Sequence, residues 1–258
     1  MPPPGPPMSA AWFRDVDIPA RRMYRTGAMA ARHTVAFDLD GTLVDTAPDL
    51  IGTLNVVLGE ARLDPIQIGD ARAVIGRGAR VMIERGFALR GVRLAEHELD
   101  RLRTRFLAHY DEHLVEQSRP FPGAQAALDA LAAAGARLVI CTNKPERYSV
   151  KLLAALGLSD RFAVIAGADT FPVCKPDPGH LLGAVERAGG VDAAVIMVGD
   201  SAVDVATARA AKVPIVAVSY GYSDVPAAHL GADRVVDQLE DVPAAVAALL
   251  KASAFADK

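Results

Sequence analysis

Apolar residues in this chain fall into short unbroken runs and helically spaced sets, and the two alternate along most of its length. The first run, Thr34-Val35-Ala36-Phe37, is closed by Asp38 and followed by Gly41. So short a run, ending in charge and glycine, predicts a buried strand leading into a turn. From Arg119 onward the alternation is regular. Strands are predicted at Leu138–Cys141, Ala163–Ala166, Val195–Val198, Ile215–Val218 and Arg234–Val236. Helices are predicted at Gly123–Ala134, Glu146–Leu156 and Asp204–Ala211. Pro122 suits a first helical turn, and Gly135 and Gly157 suit helix stops. Strand–helix alternation implies right-handed crossovers and an α/β fold whose parallel sheet is covered on both faces.

Residues 48–118 break that rhythm. They hold helical candidates at Asp49–Glu60, Ala79–Ala88 and Glu96–His113 and no convincing strand. The expectation is an all-helical cap, 48–118, inserted after the first strand of a core made of 29–47 and 119–258. Placed beside the carboxyl end of that strand, it could cover a site like a lid. Residues 1–28 differ again. Met-Pro-Pro-Pro-Gly-Pro-Pro and the arginines 21, 22 and 25 have no period and read as a disordered tail. Met29 stands just ahead of the first strand, which marks it as the functional start of the fold.

Composition narrows the field. At 258 residues and 51% hydrophobic content, the chain can bury a substantial core. A net charge of -3 and a pI near 6.1 give no reason to expect nucleic acid or an anionic membrane as partner. No apolar run reaches transmembrane length, and the two cysteines, Cys141 and Cys174, make no disulfide framework. A cytoplasmic location follows as the expectation. His109 and His113 stand four apart and could form a metal pair, but a solvated face of a charged helix is the simpler account.

Chemistry concentrates in four fragments. Asp38-Leu39-Asp40-Gly41-Thr42 puts two carboxylates at a strand end, where open α/β sheets bind ligands. Thr142 closes a second strand in Cys141-Thr142-Asn143-Lys144, where its hydroxyl and nearby N–H groups could bind phosphate oxygens. In Cys174-Lys175-Pro176-Asp177-Pro178, two prolines stiffen a loop around a lysine that could neutralise a transferring phosphoryl group. Val198-Gly199-Asp200-Ser201, with Asp204 after it, again ends an apolar run in carboxylates. Asp204 could serve the N-terminus of its helix, or a cation could use it together with Asp38 and Asp200. Asp38 and Asp200 could share such a cation if their strands adjoin. Each fragment alone has a bland structural explanation.

Taken together and in order, the four fragments resemble the haloacid dehalogenase superfamily over roughly residues 33–240. Within it the chain resembles the bacterial phosphoglycolate phosphatases. The stretches that carry this run Phe37 to Leu50, Ile75-Gly76-Arg77-Gly78-Ala79, Thr142 to Pro145, Lys175 to Pro178 and Met197 to Asp204. The resemblance implies a Rossmann-like core with a small helical cap and Mg²⁺-dependent hydrolysis of a small phosphate ester, first of all 2-phosphoglycolate. Asp38 would be the nucleophile and form an aspartyl-phosphate, with Asp40 as acid and base. Thr142 and Asn143 would hold the phosphoryl group and Lys175 its charge. Mg²⁺ would be bound by Asp38, the Asp40 carbonyl and Asp200, with Asp204 as support or further ligand. In such phosphatases the Ile75–Ala79 part of the cap faces the substrate. There Arg77 or Arg80 could pair a substrate carboxylate, or both could be ordinary surface arginines. A sugar-phosphate phosphatase or phosphomutase would keep the same residues. So would a phosphate-binding regulatory protein, although the intact set of Asp38, Asp40, Lys175 and Asp200 argues for turnover. Oligomeric state is not legible.

Overall fold

The computed structural model describes residues 33–76, 78–190 and 194–256. The expectations for residues 1–28, for Met29 and for Arg77 lie outside them.

Strand β1 (His33–Phe37) is buried along its whole length, as a continuous apolar run requires. Its neighbours are β4 (Ala136–Cys141) and β6 (Ala194–Gly199), both parallel to it, in register Phe37↔Ile140 and Phe37↔Val198. With β5 (Val164–Ala166), β7 (Ile215–Val218) and β8 (Arg234–Val236) the sheet runs β5-β4-β1-β6-β7-β8, all parallel. The chain first builds outward on one side of β1 and then on the other. The crevice at the carboxyl ends of β1 and its neighbours is therefore the expected ligand position.

Successive residues of β1 face opposite layers. Val35 and Phe37 join the larger core, while Ala36 joins a second cluster with Val139, Cys141, Leu181 and Met197. Helices α7 (Pro178–Arg187) and α8 (Ala202–Ala210) supply the second layer. Helices α5 (Ala124–Ala133), α6 (Glu146–Ala155) and α9 (Val242–Ala256) contribute residues to the first.

Between the first strand and the rest of the sheet the chain makes a helical excursion. It leaves through β2 (Val44–Asp45) and returns through β3 (Arg119–Pro120), which pair antiparallel as a short two-stranded stalk. The segment between holds α1 (Ala47–Glu60), a 3-10 turn at Ile68–Asp70, α2 (Ala71–Val74), α3 (Gly78–Ala88) and α4 (Glu96–Glu112). In α1, Leu50, Leu54, Val57 and Leu58 are buried at helical spacing, and in α4 Leu99, Leu102, Phe106 and Tyr110 are. Asp49 pins the returning chain by accepting from the Gln117 N–H, the Ser118 N–H and the Ser118 hydroxyl.

Three local expectations change. Helix α8 starts two residues before Asp204, because Ser201 caps it: the Ser201 N–H donates to Asp204 Oδ2 at 3.0 Å in a reciprocal capping box. Pro122 precedes the N-cap Gly123 rather than entering the helix; that glycine sits at φ +79. The imidazoles of His109 and His113 stack at 3.9 Å on a half-buried face, where His109 Nδ1 meets the Thr53 hydroxyl.

Candidate active site

Asp38 leaves β1 with its N–H still donating to the Val198 carbonyl of β6, at 2.9 Å, so the sheet itself aims the residue. Its side chain is 13% exposed. Oδ1 accepts from the Leu39 N–H at 2.7 Å and lies 3.0 Å from Lys175 Nζ. That leaves Oδ2 free of protein donors among the described residues. Burial pushes the Asp38 carboxyl up to about 6, against the pull of the Lys175 ammonium.

Asp200 ends β6 beside it, since the two strands pair. The Thr42 hydroxyl donates to its Oδ1 at 3.0 Å and the Tyr222 N–H to its Oδ2 at 2.6 Å. Burial, then the charges of Asp204 and Asp38, raise the Asp200 carboxyl to about 8. Room for this contact comes from Gly41, at φ +82: a β-carbon there would fall 2.8 Å from Asp200 Oδ2 and from the Tyr222 ring.

Lys175, 3% exposed, is 2.6 Å from Asp204 Oδ1 as well as 3.0 Å from Asp38. Burial opposes its charge, but the carboxylates of Asp204 and Asp38 outweigh it and hold the ammonium above the ordinary lysine range. Carboxylate oxygens of Asp38, Asp200 and Asp204 lie within 4.8 Å of one another. Three carboxylates against one ammonium leave a formal charge of -2 in a buried space of hard oxygen donors, which suits a divalent cation. Asp204 enters this cluster with both oxygens already engaged, Oδ1 by Lys175 and Oδ2 by the Ser201 N–H and hydroxyl. Its geometry is that of a brace between the helix start and the lysine.

Asp40 faces the same cavity from the other side. Its Oδ1 accepts from the Thr46 hydroxyl at 2.8 Å and from Lys144 Nζ at 3.0 Å. Thr142 is buried at the end of β4, with its hydroxyl 3.3 Å from the Lys144 N–H. Asn143 lines the cavity next to Thr142; its carboxamide donates to the Lys175 carbonyl at 3.0 Å, and Oδ1 has no hydrogen-bond partner among the described residues. One of its two amide donors thus holds the Lys175 loop beside the cavity.

The cavity is closed over by the helical segment. Leu50, Ile75, Gly78, Met82 and Tyr110 line it opposite Asp38, Thr142 and Lys175. Ile75, Gly76, Gly78 and Ala79 thus border the site. Arg80 does not: it donates to Asp100 at 2.7 Å and pairs with Glu96 on the exposed side of α4. Two residues given no role from sequence matter here. Lys144 is 5% exposed and bonds Asp40 and the Tyr110 hydroxyl, at 2.6 Å for the latter. Lys144 stood in a quoted motif. Tyr110 stood at a buried helical position of α4, but nothing in that spacing said which cavity it would meet. Of the cysteines, Cys174 is exposed, while burial pushes the Cys141 thiol up to about 12.

Residues 35–218 match the family described as haloacid dehalogenase-like hydrolase. The chain belongs to that family. A phosphoglycolate phosphatase of Caulobacter vibrioides is 47% identical over 217 residues, 84% of this chain and 92% of the relative. One of Agrobacterium fabrum is 50% identical over 201 residues, 78% of this chain and 86% of the relative. The crystal structure of a predicted phosphoglycolate phosphatase from Haemophilus somnus superposes with a TM-score of 0.76 at 30% identity, covering 85% of this chain and all of the other. Within the hydrolase family, then, this protein is a phosphatase, an enzyme acting on a small phosphate ester. Among the described residues no helix is long and apolar enough to cross a membrane.

Proposed function

We propose that the protein is a Mg²⁺-dependent phosphomonoesterase that hydrolyses 2-phosphoglycolate to glycolate and phosphate. The observation that carries the chemistry is the buried junction of Asp38, Lys175 and Asp200 at adjoining strand ends, with one oxygen of Asp38 free. The names of the relatives favour the substrate.

Asp38 Oδ2 attacks phosphorus, the ester P–O bond breaks, and an aspartyl-phosphate forms. Asp40 gives its proton to the departing alkoxide oxygen, then takes one from the water that cleaves the acyl phosphate. Lys175 fixes the idle oxygen of Asp38 and offsets charge on the phosphoryl group. Thr142, with the N–H groups that follow it, receives the phosphoryl oxygens. Asp38, the Asp40 carbonyl and Asp200 would hold Mg²⁺, which would neutralise charge between nucleophile and phosphoryl oxygens. Asp204 supports Lys175. Residues 48–118 act as a cap that keeps bulk water from the intermediate, and residues 29–47 and 119–258 form the catalytic core. A cytoplasmic location agrees with a substrate of this kind.

Phosphate release by the purified full chain tests this, across a panel of small phosphate esters with Mg²⁺ and with chelator. The highest kcat/KM is expected for 2-phosphoglycolate, with activity lost to chelator. A faster sugar phosphate would move the assignment to a sugar phosphatase, and transfer to a sugar in place of water to a phosphomutase. No release from any ester would leave a phosphate-binding regulator.

A further inference from the structure

Among the described residues, the wall that the helical segment presents to the cavity is largely apolar, with Leu50, Ile75, Met82 and Leu107 on it beside the Tyr110 hydroxyl. A substrate carboxylate entering this space needs a cation, because an unpaired buried charge is strongly disfavoured. Among the described residues that line the cavity, the cations are Lys175 and Lys144. Lys175 is engaged by Asp38 and Asp204. Lys144 has Asp40 at 3.0 Å and the Tyr110 hydroxyl at 2.6 Å, with its ammonium 4.5 Å from the centre of the Tyr110 ring. An ammonium has three donors. Tyr110 takes one, and Asp40 meets the others with both oxygens, at 3.0 and 3.3 Å, so a carboxylate arriving beside Asp40 can take over the longer contact.

We propose that Lys144, steadied by Tyr110, is the residue that recognises the charge of the leaving group, by binding the substrate's carboxylate. The inference rests on the phosphoglycolate reading and adds a residue to it. In that reading Asp40 meets the ester oxygen of the leaving group. The carboxylate of 2-phosphoglycolate is joined to that oxygen through a single methylene, so its cation must stand beside Asp40. Lys144 does stand there, in direct contact with the Asp40 carboxylate. Arg80 is bound to Glu96 and Asp100 on the outer face and is not among the lining residues. The position also explains how so small a substrate could be selected. Lys144 belongs to the loop after β4 and Tyr110 to α4, so the contact forms only where the helical segment meets the sheet.

The test compares kcat/KM for 2-phosphoglycolate and ethyl phosphate, esters of equal length with and without the carboxylate. Wild-type enzyme should prefer the former. Lys144→Gln should reduce 2-phosphoglycolate by about ten- to a hundredfold more than ethyl phosphate, mainly through KM, as loss of a charge-assisted contact predicts. Lys144→Arg, which keeps the charge, should retain most of the preference. Equal losses for both esters in Lys144→Gln would overturn the role of Lys144 while leaving the phosphoglycolate reading standing. A selective loss in Arg77→Ala, with none in Lys144→Gln, would overturn it too. A wild-type enzyme that did not prefer the carboxylate ester would overturn both readings. Should Lys144→Gln fail to fold, wild-type enzyme with 2-aminoethyl phosphate as third ester decides. Rates should fall from anionic to neutral to cationic ester, and equal rates for the anionic and cationic esters would end the proposal.

Discussion

At the scale of single residues, the site is a set of buried charges held short of neutrality. Asp38 has one oxygen tied to the Leu39 N–H and Lys175, so its carboxylate is oriented as well as activated. Asp38→Asn is nearly isosteric but a poor nucleophile. Phosphate release should fall by roughly a thousandfold or more while the melting temperature holds, since one repelling carboxylate is gone. Activity within about tenfold of wild type in a contaminant-free preparation would reject the mechanism. The raised carboxyls of Asp38, to about 6, and Asp200, to about 8, make a second prediction. Both lie above the unfolded value of 3.8, so the stability they permit is present at acid pH and lost as pH rises through the folded values. Buried His180 has the opposite sign: burial lowers it to about 4, so its contribution is lost as pH falls below the unfolded value of 6.5. The Mg²⁺-induced increment in melting temperature isolates the carboxylates. It should be several degrees at pH 8 and small at pH 5, since ~1 kcal/mol moves a chain of this size by roughly 2–4 °C. An increment equal at both pH values would show that these carboxyls are not what the cation meets.

At the scale of elements, the loop after β7 joins two functions. The Tyr222 N–H holds Asp200, while the Tyr222 hydroxyl donates to Asp45 and accepts from the Ala47 N–H at 2.9 Å, where the stalk turns into α1. The Asp200 carboxylate and the root of the helical segment are thus braced by one residue. Tyr222→Phe leaves the buried Ala47 N–H with only Asp45 Oδ1, at 3.3 Å. The expected loss is about 1–3 kcal/mol, read as a lower melting temperature. Because the ring and the backbone bond to Asp200 remain, Mg²⁺ affinity should change little. An unchanged melting temperature would show the hydroxyl to be replaceable by water.

At the scale of the whole molecule, the described residues from β1 onward already form a six-stranded sheet, in the order β5-β4-β1-β6-β7-β8. Deleting residues 1–28, which lack any core-forming period, should therefore leave kcat and melting temperature nearly unchanged. A large loss of either would show that the tail packs on the fold. The cavity is a product of the same scale. Its catalytic floor comes from the ends of β1, β4 and β6 and its roof from the helical segment, so neither part forms it alone.

By itself the sequence determined the α/β alternation, a helical interruption after the first strand, and Asp38, Asp40, Thr142, Lys175 and Asp200 as residues that gather at one place. These are legible because hydrophobic period and turn chemistry are local, and because Asp38, Thr142 and Asp200 each follow an apolar run while Pro176 and Pro178 follow Lys175. Only the tertiary structure decided which partner each polar group would take. Arg80 found Glu96 and Asp100, sixteen and twenty positions away, instead of the cavity. The Asn143 amide found the Lys175 carbonyl, thirty-two positions on. Lys144 found Asp40 across 104 positions and Tyr110 across 34. A charged side chain's pattern in sequence is the same whether it meets water, a neighbour or a substrate. Its partner is chosen by which surfaces the sheet and the helical segment bring face to face, and that is settled only when the whole chain has folded.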